Sequence, residues 1–325
     1  MAPAELLQGA VERTVLSGHE GKSGAGLERV RLEDGRVLVV KRVDPDTDLT
    51  LRLTGATLAR DHVLRTAGVL DRLPSGVAHA VVDSWVEDGT TVVVMQDLTG
   101  EVMTWRDHLD RETSLLVVDR VARLHRAFLG TAPNDLVPLD RVLTVFAPRR
   151  VRDAAAEGDE LMQLALHGWE HFEDLVDADV AGRVLALLDD AHPLAGALAQ
   201  GPVTLVHGDL ATVNMAVRGD DLVLLDWALA TAAPGALDMA RFLAQCASVL
   251  SPSREELLAT YAGRAGPAYD PRSARLAVLA ALMWLGWNKA LDAADNPDPE
   301  VRARERADLD WWVARARKTL DAESF

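Results

Sequence analysis

The sequence contains one cysteine, Cys246, so no disulfide can form within the chain. Its place in the apolar stretch 239–250 is that of a small buried side chain, and the thiol count fits a reducing compartment. No lysine- or arginine-rich run stands anywhere in the 325 residues; acidic residues outnumber basic ones by 50 to 34, for a formal net charge of −16. Such a chain repels a phosphate backbone, which excludes nucleic acid as the expected partner. The acidic surface would attract a cationic small molecule, but it serves solubility equally well. The longest apolar stretch, 276–287, falls well short of the roughly 20 residues that span a bilayer. Met-Ala-Pro-Ala-Glu-Leu-Leu at the start has neither the basic nor the apolar region of a secretory signal. The expectation is a cytoplasmic protein without membrane association. Internal repeats and low-complexity linkers are also missing, which leaves periodicity to organise the reading.

What is present suffices for a large core: 49% of residues are hydrophobic and 26% charged, and the length allows two lobes. Residues 11–16, 27–32 and 37–42 alternate or run apolar with β-branched members, and Asp34-Gly35 supplies a turn between the last two, so a three-stranded meander is expected. Residues 51–67 have helical spacing and end at Gly68; 78–86 and 90–96 read as two more strands joined by Asp88-Gly89. After Asp97 the character changes. Residues 114–128, 153–167, 178–190, 236–250, 273–291 and 300–320 carry helix-period apolar faces, interrupted by a β-like segment at 203–226. The expected architecture is α+β, with a small antiparallel-sheet lobe at 1–97 and a mainly helical lobe at 98–325. An extended, loop-rich segment inside a helical lobe is the natural place for chemistry.

That segment holds His207-Gly208-Asp209-Leu210-Ala211-Thr212-Val213-Asn214, followed by Leu224-Leu225-Asp226-Trp227. Phosphoryl transfer needs a carboxylate to orient and deprotonate the attacking hydroxyl, and hard oxygen ligands to hold Mg²⁺ on the phosphates. Asp209, Asn214 and Asp226 supply that inventory. Taken singly they read as turn and capping residues; taken together at this spacing they read as a site.

The pattern His-x-Asp-x-x-x-x-Asn, followed by an aspartate closing an apolar strand, resembles the aminoglycoside phosphotransferases, the related choline and sugar kinases and, more distantly, protein kinases. The resemblance implies a bilobal protein-kinase-like fold and an ATP- and Mg²⁺-dependent transfer to a small-molecule hydroxyl. It implies Asp209 as catalytic base, His207 as support of the loop, and Asn214 and Asp226 as metal ligands. Lys41, on the third expected strand, would pair with the α- and β-phosphates. The preceding loop, with Gly21, Ser23, Gly24 and Gly26, would cover the phosphates through backbone N–H groups. It matches neither a P-loop nor Gly-x-Gly-x-x-Gly. Val94-Met95-Gln96-Asp97-Leu98 is similar to the family hinge at adenine, which brings in Met95, Gln96 and Leu98. Pro234-Gly235-Ala236-Leu237-Asp238 is similar to a segment whose aspartate caps a helix and bonds the catalytic loop.

The sequence departs from the family pattern in one place. The helix after Lys41 contains no glutamate to pair with the lysine, and Asp61 is the sole carboxylate well inside it. Either that helix sits closer, or the pair forms only with nucleotide bound. No Ala-Pro-Glu or activation segment of a protein kinase is found. Aminoglycoside-like antibiotics, sugars and choline-like alcohols remain open as acceptors, oligomeric state is open, and a nucleotide-binding regulator without catalysis is the reading from another class. His167 and His171, four apart, lack an evident third metal ligand, so a non-metal role is expected for them. Trp284, Trp287, Trp311 and Trp312 read first as core and second as an aromatic wall for a ligand. Glu170, Glu173 and Asp174 are three among many acids that could line an acceptor pocket.

Overall fold

The computed structural model describes residues 6–16 and 25–325. Its N-terminal region is an antiparallel five-stranded sheet in the order β1-β2-β3-β6-β5, from β1 (Ala10–Val15), β2 (Gly26–Leu32), β3 (Val37–Val43), β5 (Val81–Glu87) and β6 (Thr90–Gln96). The central strands, Val-Leu-Val-Val-Lys-Arg-Val and Thr-Thr-Val-Val-Val-Met-Gln, owe their place to β-branched side chains that pack on a pleated surface. Successive side chains point to opposite faces. Val40, Val92 and Val94 pack with Leu6, Val30, Leu32 and Leu38 on one face, while Val43 and Val93 join the main core on the other. Lys41 pairs in register with Val93 and shares that second face, whereas Arg42 lies on the outer side with Glu87.

Between β5 and β6, Asp88 and Gly89 both take positive φ, 49° and 82°, which is the geometry of a two-residue hairpin turn. The expected helix at 51–67 is two, α1 (Leu49–Thr54) and α2 (Arg60–Thr66); Gly55 at φ 70° closes the first in a left-handed cap. The expected strand at 78–86 is also divided. β4 (Val77–His79) leaves the large sheet and pairs in parallel with β9 (Asp221–Leu224), whose antiparallel partner is β8 (Met215–Arg218).

The C-terminal region is mainly helical: α3 (Arg111–Ala127), α4 (Leu139–Leu143), α5 (Pro148–Ala156), α6 (Glu160–Leu175), α7 (Ala178–Asp189), α8 (His192–Ala199), α9 (Ala236–Cys246), α10 (Arg254–Ala265), α11 (Pro271–Asp295) and α12 (Pro299–Ala322). The expected helix at 153–167 spans the break between α5 and α6, where Gly158 takes φ 99°. α11 is apolar on nearly all sides and buried through its middle, as a helix enclosed by others must be. Trp284, Trp287 and Trp312 are buried in this core, so packing is their role. A last pair of strands, β7 (Val203–Val206) and β10 (Thr231–Pro234), lies antiparallel. The α+β, two-lobed architecture expected from the sequence is the one observed.

Candidate active site

The loop from His207 to Asn214 runs from the end of β7 to the start of β8. Three devices fix it. Gly208 takes φ 81°, and a Cβ there would lie 2.0 Å from the Leu229 carbonyl oxygen, so only glycine fits. Asp238, buried in the first turn of α9, accepts the backbone N–H of His207 at 2.7 Å and of Gly208 at 2.8 Å. His125 of α3, also buried, contacts Asp238 through Nε2 at 3.1 Å and the Tyr261 hydroxyl through Nδ1 at 2.8 Å. Burial alone would raise the Asp238 pKa, but these bonds hold it below the ordinary aspartate value. The expected tie from Asp238 to the loop is thus present. As a helix cap Asp238 is corrected: Gly235 occupies that position, with no side-chain bond.

The His207 ring is buried against Trp227, with ring centroids 4.7 Å apart. Its Nε2 donates to the Leu225 carbonyl at 2.8 Å, and its Nδ1 accepts the Asp209 N–H at 3.3 Å. One imidazole therefore ties the loop to the end of β9. The Leu225 N–H donates to the Asn214 carbonyl at 2.9 Å, a second tie across the same gap.

The Asp209 carboxylate, about a third exposed at 35%, is held from both sides. Its Oδ1 accepts from the Arg241 guanidinium at 2.9 Å and from Gln245 Nε2 at 3.3 Å; its Oδ2 accepts from Asn214 Nδ2 at 3.2 Å. Arg241 also donates to the Gly208 carbonyl and stacks on Trp284. Burial lowers the Arg241 pKa to about 9 against the pull of Asp209 and Asp238, so it remains cationic at neutral pH. The sequence reading did not pick out Arg241 and Gln245. The signal was there: Asp238, Arg241 and Gln245 recur at helical spacing on one face of α9, the face toward the loop.

Asp226 follows β9 in a left-handed conformation, φ 56°, uncommon for a residue with a side chain. Its Oδ1 pairs with Lys41 Nζ at 2.9 Å, and the side chain is 36% exposed. Burial alone would raise the Asp226 pKa, but the ammonium outweighs it and brings the pKa down. Burial alone would lower the Lys41 pKa, but Asp226, then Asp61 and Asp48, outweigh it and raise it. Lys41 is fully charged as a result.

Asp61, on α2, is buried in the same pocket, yet no direct ion pair joins it to Lys41 among the described residues. Its Oδ1 accepts the Trp227 N–H at 3.4 Å, and its Oδ2 is buried without a hydrogen-bond partner. Burial raises its pKa, and Lys41 offsets this only in part. The Asp226 carboxylate, 36% exposed, and the amide oxygen of Asn214 are hard donors of the kind Mg²⁺ takes. The residues fit that ion.

The hinge candidates lie at the end of β6. Met95 packs against Ala80, Leu98, Ala216 and Val223, thus between the large sheet and the β8-β9 hairpin. Gln96 is exposed and accepts from Arg218 at 3.1 Å. The Leu98 carbonyl receives the N–H groups of Glu101 and Val102, at 2.9 and 3.2 Å, in a tight turn. Gly26 opens β2 with free space around it; Gly21, Ser23 and Gly24 lie outside the described residues. The structure thus gathers Lys41, Asp61, His207, Asp209, Asn214 and Asp226 around one loop and one strand end.

A family model described as the phosphotransferase enzyme family matches residues 20–277. No curated protein sequence matches the chain. Among solved structures, the chain is similar to an aminoglycoside phosphotransferase from Alicyclobacillus acidocaldarius, at 18% identity and TM-score 0.51, covering 97% of this chain and 94% of the other. It is similar to the aminoglycoside phosphotransferase APH(3'')-Id from Streptomyces rimosus, at 18% identity and TM-score 0.52, covering 85% and 93%. It is also similar to the choline kinase LicA from Streptococcus pneumoniae, at 13% identity and TM-score 0.51, covering 95% of each. At such identities the likeness is one of fold.

Proposed function

The chain belongs to the phosphotransferase enzyme family, and we propose that it moves the γ-phosphoryl group of ATP, with Mg²⁺, to a hydroxyl of an aminoglycoside-like small molecule. The observation that carries this reading is the His207 bridge: it sets the loop bearing Asp209 and Asn214 beside Asp226, which already holds the Lys41 ammonium from the sheet. A base, a cation and hard oxygen donors then share one cleft, with residues 1–97 on the nucleotide side and 98–325 on the acceptor side.

Asp209 orients the acceptor hydroxyl and receives its proton as the oxygen attacks. Arg241, Gln245 and Asn214 fix the carboxylate before substrate arrives, so little reorganisation is left for the reaction itself. Lys41, kept charged by its carboxylate neighbours, offers its ammonium to phosphate oxygens, and Asn214 and Asp226 would hold the metal. When bound, Mg²⁺ neutralises charge that develops on the transferring phosphoryl group. Met95, Gln96 and Leu98 form the adenine side, and Gly21, Ser23, Gly24 and Gly26 belong to the loop over the phosphates. Asp61 supports Lys41 from α2.

The test is ATP turnover with Mg²⁺ against separate pools of aminoglycosides, sugars and choline-like amino alcohols, with Asp209→Ala alongside. The expected result is stimulation by the aminoglycoside pool, lowered by about 10²–10⁴-fold in the variant, with nucleotide affinity unchanged. Stimulation by the amino-alcohol or sugar pool alone would replace the acceptor class and make this a metabolic kinase. Tight nucleotide binding with no transfer to any pool would favour a nucleotide-binding regulator.

A further inference from the structure

His167 and His171 project from one face of α6, one turn apart, and the fold brings a third group to them. Asp295, the last residue of α11, places Oδ2 at 2.9 Å from His167 Nε2 and 3.0 Å from His171 Nε2. The two Nε2 atoms are themselves 3.2 Å apart. These three atoms form a nearly equilateral triangle. A tetrahedral ion with bonds of about 2.0–2.2 Å has ligand atoms roughly 3.3–3.6 Å apart, so the triangle needs to widen by only a few tenths of an ångström to become one face of such a coordination shell.

Carboxylate oxygens stand at both ring nitrogens of His167, and a metal ion at the centre of the triangle would take the place of a proton on Nε2. The Glu170 carboxylate lies 3.2 Å from His167 Nδ1, where with the ion bound it would accept the Nδ1 hydrogen and leave the Nε2 lone pair to the metal. In the neutral ring that lone pair faces a carboxylate oxygen and a second imidazole nitrogen. Carboxylate behind imidazole is also the arrangement that orients metal-bound histidine.

The scaffold is rigid where it matters. A Cβ on Gly168 would lie 2.3 Å from the Trp287 carbonyl oxygen, and one on Gly286 would lie 2.9 Å from the Phe172 ring. Two glycines, one on each helix, therefore let α6 and α11 approach closely and set their register. The ligands stand on packed helices, not on loops. Two nitrogens and one oxygen suit zinc better than the hard, oxygen-seeking magnesium. We propose that His167, His171 and Asp295 form a zinc site, separate from the phosphotransfer site, that clasps the end of α11 to α6. The exposure of His167 and Asp295 leaves the fourth position to water.

The test uses the tag-free, EDTA-treated chain, zinc alone as probe, and competition with a chromophoric chelator. One zinc per chain is expected, with a zinc-dependent rise in thermal unfolding temperature. Both effects should vanish in His171→Ala and Asp295→Ala, and Glu170→Gln should weaken binding by about tenfold or more. Because these side chains are exposed or half-buried, each variant should unfold in EDTA as the parent does, which separates a lost ligand from a lost fold. Failure of the parent to take up stoichiometric zinc, or equal uptake by the variants, would overturn the site and leave a protonated, hydrogen-bonded cluster.

Discussion

Asp238 and Asp61 are both buried and both approach the segment between His207 and Trp227, yet their surroundings are opposite. Asp238 receives two backbone N–H groups and an imidazole and is held below the usual carboxylate range. Asp61 receives one long bond, keeps an oxygen without a partner, and is pushed above that range. A carboxylate with both oxygens engaged is a structural part; one with a buried oxygen left unsatisfied carries a cost in stability. The cleft is thus finished on its α9 side and unfinished on its sheet side.

The largest break in this comparison comes from Asp238→Ala. Two buried N–H groups and His125 would lose their acceptor, which should lower stability by about 3–5 kcal/mol, read by denaturant or thermal unfolding; a loss near zero would show that the loop does not depend on Asp238. Next comes Arg241→Ala, which frees the Gly208 carbonyl and one Asp209 oxygen. Turnover should fall on the order of a hundredfold through misplacement of the carboxylate, with nucleotide affinity kept. Equal losses in turnover and nucleotide binding would instead mean general disruption of the cleft.

The smallest effect, and the sharpest contrast, lies in pH dependence. Because the folded pKa of Asp238 is lowered, its contribution is present above the ordinary value of 3.8 and lost as pH falls through the folded value. For Asp61 the folded pKa is raised, so the unfolded chain releases the proton first, and stability falls as pH climbs from 3.8 through the folded value. Asp61→Asn should flatten that fall in unfolding measured from about pH 3 to about pH 7, whereas Asp238→Asn should flatten the acid side. Identical slopes for both variants would erase the distinction.

How much of this was legible depended on whether the signal was local. The meander, the Asp88-Gly89 turn and the long helices follow from periodicity and turn chemistry within a few residues. Breaks at Gly55 and Gly158 were missed because single glycines are tolerated in a helical pattern. Helix α10 carries its own start signal, Ser253 accepting from the Glu256 N–H, but the short apolar pattern after it gave little to read. β4 was merged with β5, since only pairing with β9, some 140 residues away, separates them. At the site, His207, Asp209, Asn214 and Asp226 stood out because the motif is contiguous. Lys41 meeting Asp226 instead of Asp61, and Asp295 joining His167 and His171, depend on contacts between distant segments that no local pattern encodes.

The division of β4 from β5 has a mechanical consequence. One residue, Ala80, separates a strand of the large sheet from a strand of the β8-β9 hairpin, and its carbonyl accepts the N–H of Gln96 at 2.8 Å, just where the chain crosses for a second time. Two crossings pinned to each other fix where the sheet meets the hairpin. Strands resist stretching, so the sheet is not free to slide along the hairpin at this point, and Arg52 with Glu157 and Arg150 with the Leu53 carbonyl tie α1 to the helical region as well. The Lys41-Asp226 pair is then a side-chain fastening across the same junction that the strands fasten through their backbone.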